Sequence, residues 1–190
     1  MMDPNYKLKD IPKDFYQDSE GKVFCDCTFC GNDLGEDEPY MIEKAFKVNP
    51  STGMKVTLYE YAICGVCSMK KMDAMSMESV QNIQAYMQEH VYDEWGKDGV
   101  PEDYKDKLRT CPATGNDIVD LQEYNYVGQF VGGQMVVGVF PMAIDASLGE
   151  SMQDLLSEST KKEFDDFMDT ITGIPPELRE LFKSKRPVMV

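Results

Sequence analysis

Four cysteines in two close pairs, Cys27-x-x-Cys30 and Cys64-x-x-Cys67, place the strongest constraint on how this chain folds. Four soft thiolates in paired spacing are the ligand set of a tetrahedral structural zinc site. Two stretches separated by more than thirty residues must therefore meet at one point. The opening residues, Met1-Met2-Asp3-Pro4-Asn5-Tyr6-Lys7, lack the apolar core of a secretory signal. Six cysteines, four of them in paired spacing, and such a start favour metal over disulfides and a cytoplasmic setting.

The pattern around these cysteines returns later in the chain. Cys27-Thr28-Phe29-Cys30-Gly31-Asn32-Asp33 reappears as Cys111-Pro112-Ala113-Thr114-Gly115-Asn116-Asp117, and Tyr40 and Phe46 fall on Tyr124 and Phe130. A second block aligns Ala62-Ile63-Cys64-Gly65-Val66-Cys67 with Ala143-Ile144-Asp145-Ala146-Ser147-Leu148, and carries Asp73, Ser76 and Met87 onto Asp154, Ser157 and Met168. In the two blocks 11 of 46 positions are identical (6 of 20 and 5 of 26), against roughly 3 expected for unrelated residues of ordinary composition. The offset changes by three residues between the blocks. That change falls where the first stretch has Asn49-Pro50-Ser51-Thr52-Gly53 and the second only Gly132-Gly133, a turn where length is tolerated. The lead-ins also agree, Ile11-Pro12-Lys13-Asp14-Phe15 with Val100-Pro101-Glu102-Asp103-Tyr104. Only the first stretch keeps all four thiols. In the second, three of the four positions are Thr114, Asp145 and Leu148, so the expectation is one metal unit and one metal-free relative.

The chain has 190 residues, so each repeat would span roughly 85, a size at which an apolar core alone is marginal. We therefore expect residues 1–99 to form a lead-in plus the zinc unit, 100–182 the degenerate unit, and 183–190 a loose tail. The formal charge of -15 is spread over both parts: residues 1–110 hold 21 acids against 13 bases, and residues 111–190 hold 13 against 6. No basic lobe exists to neutralise a phosphate backbone, which excludes nucleic acid as a charge-matched partner. The plain role of the acid surface is solubility; the sharper one is mimicry of nucleic acid or docking on a basic protein. No stretch is long and apolar enough to span a membrane, since even residues 127–139 are broken by glycine and glutamine.

Residues 40–48 and 54–63 are rich in aromatic and β-branched side chains around a Pro-Ser-Thr-Gly turn, which predicts a hairpin. Residues 124–131 and 134–140 around Gly132-Gly133 predict a second, with a two-residue turn at positive φ. A helical period follows each. Met69, Met72 and Met75 lead into Val80, Ile83, Met87 and Val91; Met152, Leu155 and Leu156 lead into Phe164, Phe167, Met168 and Ile171. Both stripes break at the matched Ser76 and Ser157, and Thr160-Lys161-Lys162-Glu163 reads as a capping box. The first 24 residues read as an extended lead-in packing across the first unit through Phe15, Tyr16 and Phe24. Gly-Pro punctuation at 99–101 and 173–176 closes the two units.

A Cys-x-x-Cys-Gly knuckle, a hairpin and a second Cys-x-x-Cys at the start of a helix resemble a treble-clef zinc finger over about residues 25–75. The resemblance implies one structural Zn2+ on Cys27, Cys30, Cys64 and Cys67. Together with the repeat it implies an α+β fold of two tandem treble-clef-like units. It does not imply one activity, because domains of this kind serve in nucleic-acid binding, ubiquitin transfer, nucleases and scaffolding. The alternatives for the four thiols are a redox pair or free core cysteines; a thioredoxin-like site, however, needs one Cys-x-x-Cys in a βαβ setting. Cys25 could replace Cys27 as ligand. Cys111 reads as a relic packed as a small hydrophobe, and a Cys111–Asp145 metal pair would have only two ligands.

His90 is the only histidine and lies well into a helix, more a surface residue than a base, so histidine-dependent nuclease or triad chemistry has little to run on. The methionine stripe reads first as core, and as an adaptable docking groove where exposed. Turn capping explains Asn32-Asp33 and Asn116-Asp117. The expectation is a non-catalytic cytoplasmic zinc protein that binds a protein partner through the metal-free unit or the groove between units. The alternatives are an acidic inhibitor or immunity-type protein covering a basic surface, and a metal-assisted hydrolase or thiol redox protein.

Overall fold

The computed structural model describes residues 6–35, 38–92 and 103–172. The two stretches expected to form hairpins do form strands: β2 (Tyr40–Val48) with β3 (Lys55–Cys64), and β4 (Glu123–Val131) with β5 (Gln134–Val137). Gly132 and Gly133 both sit at positive φ (57° and 69°), the conformation their two-residue turn requires. The chain then makes β6 (Met142–Asp145), which returns to β4. Together with β1 (Lys7–Asp10) these strands form one antiparallel sheet in the order β1-β5-β4-β2-β3, with β6 also on β4.

The seam of that sheet is β2 against β4. Their register runs from Tyr40↔Phe130 to Lys47↔Glu123 and sets Glu43 opposite Val127, the residue 84 positions on. Tyr40 therefore stacks on Phe130 at 5.3 Å, and Phe46 lies 5.3 Å from Tyr124. The apolar clusters follow the same relation. Leu34, Tyr40, Ala62 and Phe130 share one cluster; Ile118, Tyr124, Ala143 and Phe46 make another. Tyr40 pairs with Cys64 at the end of β3, and Tyr124 pairs with Asp145 at the end of β6. A single register shift beside Ala45 in the first hairpin corresponds to the four residues 138–141 that leave the ladder between β5 and β6.

Helices cover one face of the sheet. After β3 come α1 (Gly65–Ala74) and α2 (Met77–Met87), the latter running into a π turn over Gln88–Tyr92; a short α3 (Tyr104–Lys107) precedes the second knuckle. After β6 come α4 (Ala146–Gln153) and α5 (Glu158–Thr172). The breaks fall at the matched serines. Ser76 caps α2 by accepting from Ser79 N at 3.2 Å, and the Ser157 hydroxyl accepts from Thr160 N at 3.3 Å. The helix therefore starts at Glu158, and Thr160, expected as the cap, lies in its first turn. The serine three residues earlier wins because its hydroxyl reaches the free amide of that turn. The two caps also grip each other: Ser76 N donates to Thr160 Oγ1 at 3.0 Å, and Ser157 N donates to Ser79 Oγ at 2.9 Å. Ser79 and Thr160 are fully buried, and each hydroxyl satisfies a backbone amide of the facing cap.

On the opposite face lie α3 and the lead-in, while the first knuckle docks along the outer edge of β3, with Cys27 in the cluster of that face and Phe29 stacked on Phe167 of α5 at 4.6 Å. Phe15 packs edge-on against Phe130 (5.2 Å, 67°) and Phe24 joins the same cluster, so the lead-in, expected to cross the first unit, also packs on β4. The lead-in does more than cross the first hairpin, since β1 pairs with β5 at the far edge of the sheet. Buried Lys44 anchors it from beneath, donating to Tyr16 O and bonding Asp18 at 2.6 Å and Glu60 at 2.9 Å. Gly128 in β4 leaves room for these rings: a Cβ there would stand 2.8 Å from the Phe130 ring and 3.0 Å from Phe15. Gly128→Ala is expected to destabilise the fold by about 1–3 kcal/mol through overpacking, measured as a shift of the urea midpoint. The punctuation at 99–101 and 173–176 and the tail 183–190 lie outside the described residues.

Candidate metal centre

The first knuckle is built by backbone bonds around Gly31, whose φ of 69° turns the chain back. Cys27 N donates to Asn32 O (2.8 Å), Gly31 N to Cys27 O (2.8 Å) and Leu34 N to Cys25 O (2.8 Å). The knuckle is joined to β3 by Thr28 N to Ala62 O (2.9 Å) and Ala62 N to Thr28 Oγ1 (3.1 Å). That docking carries Cys27 and Cys30 to Cys64, the residue that ends β3 and precedes α1, and to Cys67 one turn on.

The four sulfurs, Cys27, Cys30, Cys64 and Cys67, all lie within 4.8 Å of one another, with Cys30 and Cys64 at 3.9 Å. A tetrahedral ion with metal–sulfur bonds of about 2.3 Å needs sulfurs about 3.8 Å apart, so the donor set fits such an ion without rearrangement of the chain. The thiols oppose one another in the absence of a cation. Burial and the neighbouring thiols push Cys67 up to about 12, and burial also raises Cys64. For Cys27 burial acts upward too, but the amides of Cys64, Phe29 and Cys30 outweigh it and bring the thiol down to about 7. One thiolate is thus prepared by backbone N–H groups, among them Cys64 N at 3.4 Å, and a divalent cation would relieve the repulsion that keeps the others protonated. Cys25 stands outside this group, exposed, with its thiol 3.7 Å from Val23 O.

The second knuckle repeats these bonds 84 residues later. Cys111 N donates to Asn116 O (2.9 Å), Gly115 N to Cys111 O (2.9 Å) and Ile118 N to Arg109 O (2.8 Å), with Gly115 at φ 71°. Hydrogen bonds join knuckle to helix where the first centre has sulfur. The Asp145 carboxylate, in the place of Cys64, accepts from Asn116 Nδ2 (2.9 Å), Thr114 Oγ1 (3.4 Å), Ser147 N (3.0 Å) and Ser147 Oγ (2.8 Å). Leu148, in the place of Cys67, is buried with Met152, Ile144 and Val127, and Cys111 is fully buried. Burial works to raise the Asp145 pKa, but the Asn116, Ser147 and Thr114 donors outweigh it and hold the carboxyl below the ordinary range.

A depressed carboxyl stabilises the fold above its unfolded pKa of about 3.9, and that contribution is lost as pH falls through the lower folded value. Asp145→Ala is expected to cost about 2–4 kcal/mol at neutral pH, from the lost cap and the stranded donors. Asp145→Asn should cost less and flatten the acid limb of a stability-against-pH curve, measured by chemical denaturation from pH 7 to pH 3.

One expectation about side chains is corrected. The methionine stripe does not enter the core on α1: Met69 and Met72 are 61% and 48% exposed, and no residue of α1 is buried. The helix is held at its N-terminal end by the cysteine cluster, so its outer face has no sheet to meet. Only Met87, further along in α2, reaches the core. His90 is half-buried against the Tyr86 ring at 4.3 Å, away from the cysteine cluster. Sequence reasoning missed the hub role of Asp145, although Asp145-Ala146-Ser147 before a helix is a capping pattern. It also missed Glu43, a buried acid beside buried Lys44 in β2. No family model matches this chain, nor does any curated protein or solved structure.

Proposed function

We propose that the chain is a non-catalytic zinc-binding protein that acts as a protein–protein interaction module. In this reading two tandem treble-clef-like units arose by duplication, the first holding one structural zinc on Cys27, Cys30, Cys64 and Cys67 and the second held by Asp145. The matching knuckle bonds and the self-matching β2–β4 register support the duplication. A closed set of four sulfurs supports a structural ion, since catalytic zinc keeps a position open for water or substrate. Six free thiols suit a reducing cytoplasm.

The observation that carries the interaction role is the apolar group exposed on α1 beyond the metal ligands, where Val66, Met69 and Met72 are 47%, 61% and 48% exposed, with Met72 also lining the cavity towards the sheet. Apolar side chains grouped in this way mark contact surfaces, and unbranched methionine adapts to varied partners. A photo-crosslinking residue at position 69, compared with one at exposed Thr170 on α5, tests this in cells. Discrete protein adducts are expected from position 69 only, and Met72→Lys should remove them with zinc content unchanged. Equal adducts from both positions, or none, would refute the reading.

A further inference from the structure

A cavity of about 490 Å³ lies between the helix-covered face of the sheet and α1, α2 and α5. Its size falls in the range of small-molecule sites. Most of its wall is apolar, with Met41, Ile63, Met75, Ile83, Met87 and Phe167 among the lining residues. At its base lie Glu43 and Val127, the pair at the centre of the β2–β4 seam. The site is therefore asymmetric, because the position matching the acid is an aliphatic residue.

Glu43 is 2% exposed, and Tyr59, Tyr61 and Asn125 are among the groups that orient its carboxylate. Tyr59 Oη donates at 3.0 Å, Tyr61 Oη at 2.5 Å and Asn125 Nδ2 at 2.6 Å. A carboxylate at the base of a desolvated pocket attracts a cation far more strongly than one on the surface. The walls suit a cation as well, since aromatic faces and polarizable thioethers favour ammonium groups. One ammonium already takes such a place: Lys71 Nζ lies 5.0 Å from the Phe167 ring centre and 5.9 Å from that of Phe29, at the rim of the cavity. The formal charge of -15 adds a field that steers cations towards the molecule.

We propose that this cavity binds a small amphipathic amine, its apolar body among the methionines and its ammonium directed at Glu43. Lys71 competes for the aromatic rim and sets the affinity. Neither element involves the metal ligands.

Calorimetric titration of the zinc-loaded full chain with octylamine, octanol and octanoate at neutral pH separates the head groups at constant tail. Octylamine is expected to bind once per chain, at least about tenfold more tightly than octanoate. Glu43→Gln should weaken octylamine about tenfold and bring it level with octanol. Lys71→Met, on a helix with no buried residue, should tighten octylamine severalfold, and it carries the test if Glu43→Gln does not fold. Octanoate binding as tightly as octylamine, weaker octylamine binding in Lys71→Met, or no saturable octylamine binding would overturn the proposal.

Discussion

Cys64→Ser is expected to remove both the metal and the cooperative unfolding of the chain. Cys64 is buried at the junction of β3 and α1, its amide points at Cys27 Sγ, and it pairs across the ladder with Tyr40. A structural zinc site carries on the order of 10–16 kcal/mol of apparent binding energy, and this energy is also folding energy. Domains of ordinary size are stable by only about 5–15 kcal/mol in total, so losing most of the metal contribution exceeds the margin. The loss should spread, because β2 lies inside the sheet between β3 and β4. Loss of the near-ultraviolet dichroism and of a single thermal transition should accompany loss of bound zinc. Cys25→Ser is the control: exposed and outside the cluster, it should leave metal content and melting unchanged.

Restoring Thr114→Cys, Asp145→Cys and Leu148→Cys together is expected to create a second metal site beside Cys111. The second knuckle has the same backbone bonds as the first, so a thiol at 114 would project from the same turn as Cys30. Asp145 precedes α4 as Cys64 precedes α1, and position 148 follows by three residues as Cys67 does. The metal content should rise from one to two zinc ions per chain. Without added metal the triple variant should be several kcal/mol less stable than the natural chain. Its Leu148 packing would be cut back in a buried cluster, and the Asp145 hydrogen bonds would be gone. A metal content that stays at one would contradict duplication of the metal unit.

What could be read from the residues was local or chemically exclusive. Four thiolates in two pairs have few uses, Gly132-Gly133 permits a turn that other residues resist, and Ser76 and Ser157 interrupt helical periods in matched places. What could not be read depends on contacts between distant segments. The four residues of β1 carry no pattern that selects β5 as a neighbour; that pairing follows from Lys44 and Phe15 fixing the lead-in on the sheet. The methionines of α1 have the spacing of a core stripe, yet spacing cannot reveal that a helix tied down at one end leaves its face uncovered. Thr160-x-x-Glu163 has the form of a capping box, but Ser157 lies three residues earlier and in register with Ser76 across the cap network. Asp145 looked like a lost ligand because its role appears only when Asn116 and Ser147 are brought to it.

The most direct measurement is X-ray absorption on protein purified without added metal. The account predicts a zinc edge, one ion per chain, and a single shell of about four sulfur neighbours at about 2.3 Å. An iron edge would contradict the zinc assignment. Absence of bound metal, or a shell containing nitrogen or oxygen, would contradict the closed four-cysteine centre on which the folding argument rests.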